Sequence, residues 1–316
     1  MSNGKSQGLQ KLYSKPQEAS TTRARIDAML EEANLEEESG EKNVIEKIEG
    51  VKKENVTIDI SDIKDFDATK IHPNAVVLVI ASRRSGKTHL VQHLLEEYTK
   101  KNKVDAVFLF SKTNAGFRES IPQTYRFRTL DKLQDIIDLQ IKVKKHNEKA
   151  KKKNMVSSNV IAILDDFVGS GGLSAEMRKN PLLNKLAVNS RHLSSQKSNL
   201  MIILLSQLYT GISPQIRLNA DYIFTTKISS RKERENLVNG FLSLNSGIAG
   251  LRESFGIFDS IVNEKDFQFL TIDASQQNKK KFSDYVYKVK APAKLKDNRL
   301  VGDEDDWKHN DFDIYF

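Results

Sequence analysis

Apolar residues recur along this chain at two spacings, and the alternation between them is its main structural signal. Val76–Ala81 (VVLVIA) is a continuous apolar run, the pattern of a strand buried on both faces of a parallel sheet. Thr88–Lys101 follows with apolar positions at Leu90, Val91, Leu94, Leu95 and Tyr98, which is helical spacing. Val104–Ser111 repeats the buried-strand pattern. Residues 129–153 repeat the helical one, with Leu130, Leu133, Ile136, Ile137 and Ile141 on one face and a lysine-rich end. Further strands are expected at Asn159–Phe167, Leu200–Gln207 and Asp221–Lys227, and further helices over 181–193 and 231–241. VTIDI at 56–60 alternates like a strand, and Phe267–Ala274 with Asp284–Lys290 reads as an edge hairpin. Apolar strands alternating with helical segments predict an α/β fold, a mainly parallel central sheet flanked by helices.

The same pattern divides the chain into three. Residues 1–55 are polar, with two short helical sets (Ile26, Met29, Leu30, Ala33; then Val44, Ile45, Ile48, Val51) among many Glu and Lys. They read as a flexible, partly helical or disordered arm, either solvated or ordered on a partner. Residues 56–290 carry the expected domain. Residues 291–316 form a flexible polar tail that turns acidic at Asp303, Glu304, Asp305 and Asp306. Composition narrows the chemistry. None of the 316 residues is cysteine, which excludes a disulfide scaffold, a cysteine-ligated zinc site, an iron–sulfur cluster and a cysteine nucleophile, and suits an intracellular, reducing setting. No apolar run reaches the roughly 18 residues of a membrane span. Lys and Arg number 50 against 42 Asp and Glu, a formal charge of +8 that permits a polyanionic partner such as nucleic acid.

The chemistry concentrates around the segment Ala81-Ser82-Arg83-Arg84-Ser85-Gly86-Lys87-Thr88, which matches the phosphate-loop pattern GxxxxGK[ST] except for Ala at the first position. A buried strand precedes it and an amphipathic helix follows. Such a loop turns backbone N–H groups around phosphates, Lys87 reaches the β- and γ-phosphates, and the Thr88 hydroxyl holds Mg²⁺ at a helix start. His89 closes the stretch expected to line the nucleotide. Ala81 would be costly if its backbone needed positive φ. Asp165 ends a buried strand and is expected to hold Mg²⁺ opposite Thr88; the neighbouring Asp166 is the candidate general base. Gln207, at the tip of LMIILLSQ, is the candidate γ-phosphate sensor. The arginine that would stabilise charge from a neighbouring subunit is sought among Arg191, Arg217, Arg83 and Arg84. Arg217 is favoured for its place on a short turn after the sensor strand, with Arg191 next.

Taken in order, the GKT loop, FLFSKT, ILDDF, NSRHLSS and LLSQ followed by ISPQIRLNADYIF resemble the genome-packaging ATPases of large DNA viruses and their smaller relatives, the poxvirus-type branch of the FtsK–HerA superfamily. The likeness covers about Val76 to Lys227. It implies a RecA/ASCE-like P-loop NTPase that uses ATP and Mg²⁺. It also implies a homo-oligomeric ring, hexamer or pentamer, that threads double-stranded DNA without sequence specificity into a preformed capsid through contacts at a capsid vertex. The setting it implies is the viral assembly site in the host cytoplasm or nucleus. The lysines between Lys142 and Lys153 and at Lys279, Lys280 and Lys281 read either as phosphate contacts or as solvated ends. A helicase-like remodeller and a slow nucleotide-gated assembly switch are the competing functions. A GTPase is disfavoured because no NKxD guanine-reading segment follows the fourth strand. HLVQH lacks the glutamate of a HExxH zinc site.

Overall fold

The computed structural model describes residues 60–112, 116–117, 120–165, 181–242, 248–276 and 281–294. The arm, Val56–Asp59 of the first expected strand, Asp166 and the chain after residue 294 lie outside them. In chain order the elements are β1 (Val76–Ile80), α1 (Lys87–Thr99), β2 (Ala106–Ser111), β3 (Arg126–Phe127), α2 (Asp131–Lys149), β4 (Ser158–Asp165) and α3 (Pro181–Asn189). There follow β5 (Ser198–Ser206), α4 (Pro214–Leu218), β6 (Tyr222–Thr225), α5 (Arg231–Phe241), α6 (Ile248–Val262), β7 (Gln268–Asp273) and β8 (Val286–Lys290).

The continuous apolar runs become the middle of one eight-stranded sheet ordered β3-β2-β4-β5-β1-β6-β7-β8. Every residue of β1 and β2 is buried, as a strand covered on both faces requires. β1 to β6 pair in parallel, while β7 is antiparallel to β6 and β8 antiparallel to β7. The fold is therefore the expected mainly parallel sheet with flanking helices, and the late strands pair as expected. The six parallel strands share a carboxyl edge, where open α/β sheets bind ligands.

Polar side chains tie the opposite, amino edge. Gln140 of α2 is fully buried; its Nε2 donates to Ser158 Oγ at 2.8 Å and its Oε1 accepts from Ser198 Oγ at 2.6 Å, joining the starts of β4 and β5. Asn147 donates to Val156 O at 2.9 Å and accepts from Val156 N at 2.8 Å. That clamp turns the chain back, so α2 ends at Lys149 rather than running to 153 as its lysines suggest. Asp221, 3% exposed, accepts from Val76 N at 2.8 Å and pairs with Arg191, holding the start of β1.

Both ends of the sheet are short or covered. β3 is two residues long. Along β8, Phe66 N donates to Lys288 O at 2.8 Å and Lys288 N donates to Lys64 O at 3.0 Å, so residues 64–66 seal the outer side. Two elements have no clear sequence signal. β3 is too short for periodicity. α6 carries Gly250 and Gly256, poor helix formers, and is held instead by its buried Ile257, Phe258, Ile261 and Val262.

Replacing Asp221 by Ala strands the buried Val76 N–H and is expected to lower unfolding free energy by about 2–3 kcal/mol in urea titrations. Asp221→Asn keeps an acceptor and should lose roughly half as much. Equal losses would show that the charge pair with Arg191, not the backbone bond, carries the effect.

Candidate functional site

The strand order decides which side chains meet. β5 lies between β1 and β4, and Ala81 N donates to Ser206 O at 3.0 Å, so the loop after β1 leaves the sheet bonded to the last residue of β5. Gln207 is the next residue along. Asp165 ends β4 in register with Leu205 and with Ser111 of β2. Asp165 and the loop's origin thus lie two strand spacings apart, roughly 9–10 Å, at one edge.

Within the loop, Arg84 (φ 59°) and Gly86 (φ 88°) adopt left-handed backbone. Left-handed residues set among right-handed ones turn successive N–H groups to one side and form an anion-binding concavity. Ser85 Oγ donates to Ser82 O at 2.7 Å, bracing the turn. Lys87 Nζ, from the first turn of α1, donates to Ala81 O at 2.5 Å and Ser82 O at 2.9 Å, so its charge lies over the loop. Ala81 is fully buried and does not take positive φ, so a methyl group is accommodated there. The conformational demand expected at Ala81 falls instead on Arg84, at about 1 kcal/mol, and on Gly86. Arg83 and Arg84 are exposed, Ser82 is half-buried, and His89 is exposed with Nδ1 3.2 Å from Pro292 O.

Thr88 has a neighbour that periodicity does not reveal. A Cβ on Gly116 would stand 2.9 Å from Thr88 Cγ2 and 3.1 Å from its Oγ1. Gln92 Nε2, one turn along α1, reaches Gly116 O at 3.5 Å and donates to Ser120 Oγ at 2.8 Å. The chain after β2 is thereby laid against the Thr88 hydroxyl, and only a glycine fits. The available signal was a lone glycine beside the buried Phe117, just after FLFSKT.

The segment after β5 is braced on α5. Ser206 Oγ donates to Leu208 O at 2.7 Å and accepts from Leu208 N at 3.2 Å, which fixes the turn bearing Gln207. Thr210 N and Oγ1 both donate to the buried Glu233 carboxylate of α5, the former at 3.1 Å. Tyr209 meets Phe241 edge-on at 5.5 Å, and its hydroxyl leaves no room for a side chain at Gly240. Burial pushes the Tyr209 phenol up, with the Arg217 charge opposing. The Arg217 guanidinium sits 4.1 Å over that ring, half-buried on α4. The fold therefore gathers the loop, Lys87, Thr88, Asp165 and Gln207 at the carboxyl edge, with Arg217 on the segment that follows Gln207. It does not bring Arg191 to them within the chain. Arg191 pairs with Asp221 at the amino edge, a strand length of about 16 Å from the loop, because Asp221 precedes β6 where β1 also begins. Asp166 lies outside the described residues.

No protein-family model matches the chain. It is 28% identical over 247 residues to uncharacterized protein 075L of Invertebrate iridescent virus 6, covering 73% of this chain and 86% of that protein. It is 22% identical over 186 residues to uncharacterized protein L437 of Acanthamoeba polyphaga mimivirus, covering 58% of this chain and 63% of that protein, less than two thirds of its length. Among solved structures it is similar to B204, the DNA-packaging ATPase of Sulfolobus turreted icosahedral virus (TM-score 0.44, 14% identity, 70% of this chain and 98% of that one). It is also similar to the pCW3 conjugation coupling protein TcpA (TM-score 0.43, 14% identity, 72% of this chain and 61% of that one). Structural likenesses this distant assign no activity; the strand order and the loop stand on their own.

Gly116→Ala is expected to displace the Thr88 side chain and weaken magnesium-dependent nucleotide binding about tenfold in titration calorimetry, with the thermal melt little changed. Unchanged binding would mean that the contact with Thr88 does not position the hydroxyl. Gly86→Ala meets both a left-handed φ and the Phe267 ring, 3.1 Å from the new Cβ, and should lower stability by about 1 kcal/mol or more in urea titrations.

Proposed function

We propose that this chain is an ATP-hydrolysing motor that moves double-stranded DNA and packages a viral genome into capsids. The observation that carries the nucleotide part is the adjacency at the carboxyl edge: a loop with left-handed backbone at Arg84 and Gly86, hydrogen-bonded to the tip of β5, with Asp165 one strand beyond. The hydroxyl of Thr88 and the carboxylate of Asp165 are hard oxygen donors of the kind Mg²⁺ takes together with phosphate oxygens, so the residues present fit that ion. When bound there, Mg²⁺ supplies charge neutralisation on the β- and γ-phosphate oxygens.

The chain's own residues do the rest. The loop N–H groups from Ser82 to Thr88 bind the phosphates, and the α1 dipole adds to their pull. Lys87 leaves its two carbonyl partners for the β- and γ-oxygens and stabilises the charge that builds as the terminal phosphoryl group departs. Asp166 accepts a proton from the attacking water, and Gln207 orients that water. Because Thr210 and Tyr209 fix the following segment to α5, a shift of Gln207 on loss of the γ-phosphate passes to α5 as a unit. Arg217, held near that segment by Tyr209, reaches a neighbour's site in a ring of five or six copies.

Support for DNA as cargo is electrostatic. The net charge is +8, and the exposed lysines Lys142, Lys145, Lys149 and Lys151 to Lys153 cluster where α2 leads into β4, at the amino edge, away from the ATP site. Lysine contacts to phosphate read no sequence, which suits a motor that grips any DNA. Support for a viral cargo comes from the motif resemblance and from the viral origin of the two sequence relatives. On this reading the arm of residues 1–55 docks on a capsid or on a neighbouring subunit, at the assembly site inside the host cell.

ATP turnover measured with and without double-stranded DNA, alongside particle mass in solution, tests the proposal: stimulation by DNA of a multi-subunit particle is expected. Strand separation by the purified protein alone would point to a helicase instead. Lys87→Ala should abolish turnover, and Asp166→Asn should bind ATP but turn over at least 100-fold more slowly. Mixing Arg217→Ala with Lys87→Ala subunits should restore part of the activity; assembled mixtures that stay inactive would exclude Arg217 as a trans-acting group.

A further inference from the structure

The carboxyl edge has two sides, and the proposed mechanism uses one. Asp165 and Gln207 lie on the β4–β5 side of the loop. A triphosphate in the loop points its terminal phosphate that way, so its nucleoside must leave over the β6–β8 side. This inference rests on the nucleotide reading of the loop. On that side three pieces of chain converge. Pairing of Thr225 with Leu270 and of Gln268 with Lys290 brings the start of β7 and the end of β8 to the same edge as the loop. Phe267, just before β7, places its Cδ1 3.1 Å from where a Cβ on Gly86 would stand, and Ala291 Cβ lies 3.6 Å from that point. Beside them, His89 on the first turn of α1 lies 3.2 Å from Pro292 O through its Nδ1.

Phe267 is unusual in two respects. It is 47% exposed, although phenylalanine is among the residues most often buried. Its backbone is left-handed (φ 59°), which costs a bulky residue about 1 kcal/mol or more. The conformation is imposed by neighbours: Phe267 O accepts from Ala291 N at 3.0 Å, and Thr226 Oγ1 donates to Gln268 O at 2.6 Å. The fold thus holds an aromatic ring, in strained backbone and half in solvent, at the mouth of the phosphate loop. We propose that Phe267 is the nucleobase platform of this site: its ring stacks on the base of the bound nucleotide, with His89 and Pro292 beside it. Stacking is tolerant of base identity, so the platform sets affinity for the nucleoside end rather than a choice among bases.

The test compares ATP with inorganic tripolyphosphate, which fills the loop but has no base. With wild-type protein both should bind. In Phe267→Ala, ATP binding should weaken about tenfold, seen as a raised KM with kcat nearly unchanged, while tripolyphosphate binding stays within about twofold. Phe267→Tyr should restore ATP affinity. Phe267→Trp in a Trp307→Phe background, which removes the chain's single natural tryptophan, should show fluorescence quenched by ADP and not by tripolyphosphate. Unchanged ATP affinity in Phe267→Ala overturns the proposal, including the case where only particle mass changes and the ring serves as a subunit contact. Equal loss of ATP and tripolyphosphate also overturns it, because the residue would then only shape the loop. Wild-type protein that binds neither ligand overturns the loop reading itself, and this inference with it.

Discussion

The hydrogen bond from Ala81 N to Ser206 O stands for the constraint on which the candidate site depends: β5 is inserted between the strand that delivers the Ala81–Thr88 loop and the strand that ends in Asp165. Were β1 paired directly with β4, the loop and the acidic tip would be one spacing apart, with no room for the Gln207 amide between them. With β5 in place, the loop, Gln207 and Asp165 come off three adjacent strands at one edge. All three positions are set by the register of buried apolar residues. The chemistry is thereby fixed by the core: a one-residue slip of β5 would move Gln207 off the edge and turn the buried strand faces over.

Much of this was legible in the chain because double-sided burial leaves an unambiguous trace. VVLVI, AVFLFS, VIAIL and LMIILL have few polar interruptions, and each became a central strand. What was not legible depends on contacts between segments far apart. The lysines after Ala150 look helical, but Asn147 claims the backbone of Val156 and ends α2. Gly250 and Gly256 disguise α6, which forms because four large apolar residues find a core. Lys87, Thr88 and their loop could be named from local spacing alone. The clearance at Gly116, the left-handed turn at Arg84 and the exposed ring of Phe267 could not, since each is defined by a partner elsewhere in the fold. Arg191 shows the same limit from the other side: sequence placed it between two site strands, but only the pairing of Asp221 with Val76 reveals at which end of them it lies.

The segments on the two sides of the loop are also held by different contacts. The segment that follows β5 is joined to α5 by side chains, through the Thr210–Glu233 hydrogen bonds and the packing of Tyr209 on Phe241. The β7–β8 flank is held by backbone bonds, from Ala291 to Phe267 and from Lys288 to the chain before β1.

The two margins of the sheet are closed in different ways. Residues 64–66 cover the free side of β8, and β3 at the far end offers only two residues for pairing. Among the described residues, neither margin presents a long run of open N–H and C=O groups for another strand to extend. A ring of the kind proposed above would therefore be joined through helices and loops, with each sheet a separate plate whose backbone hydrogen bonds stay within one copy.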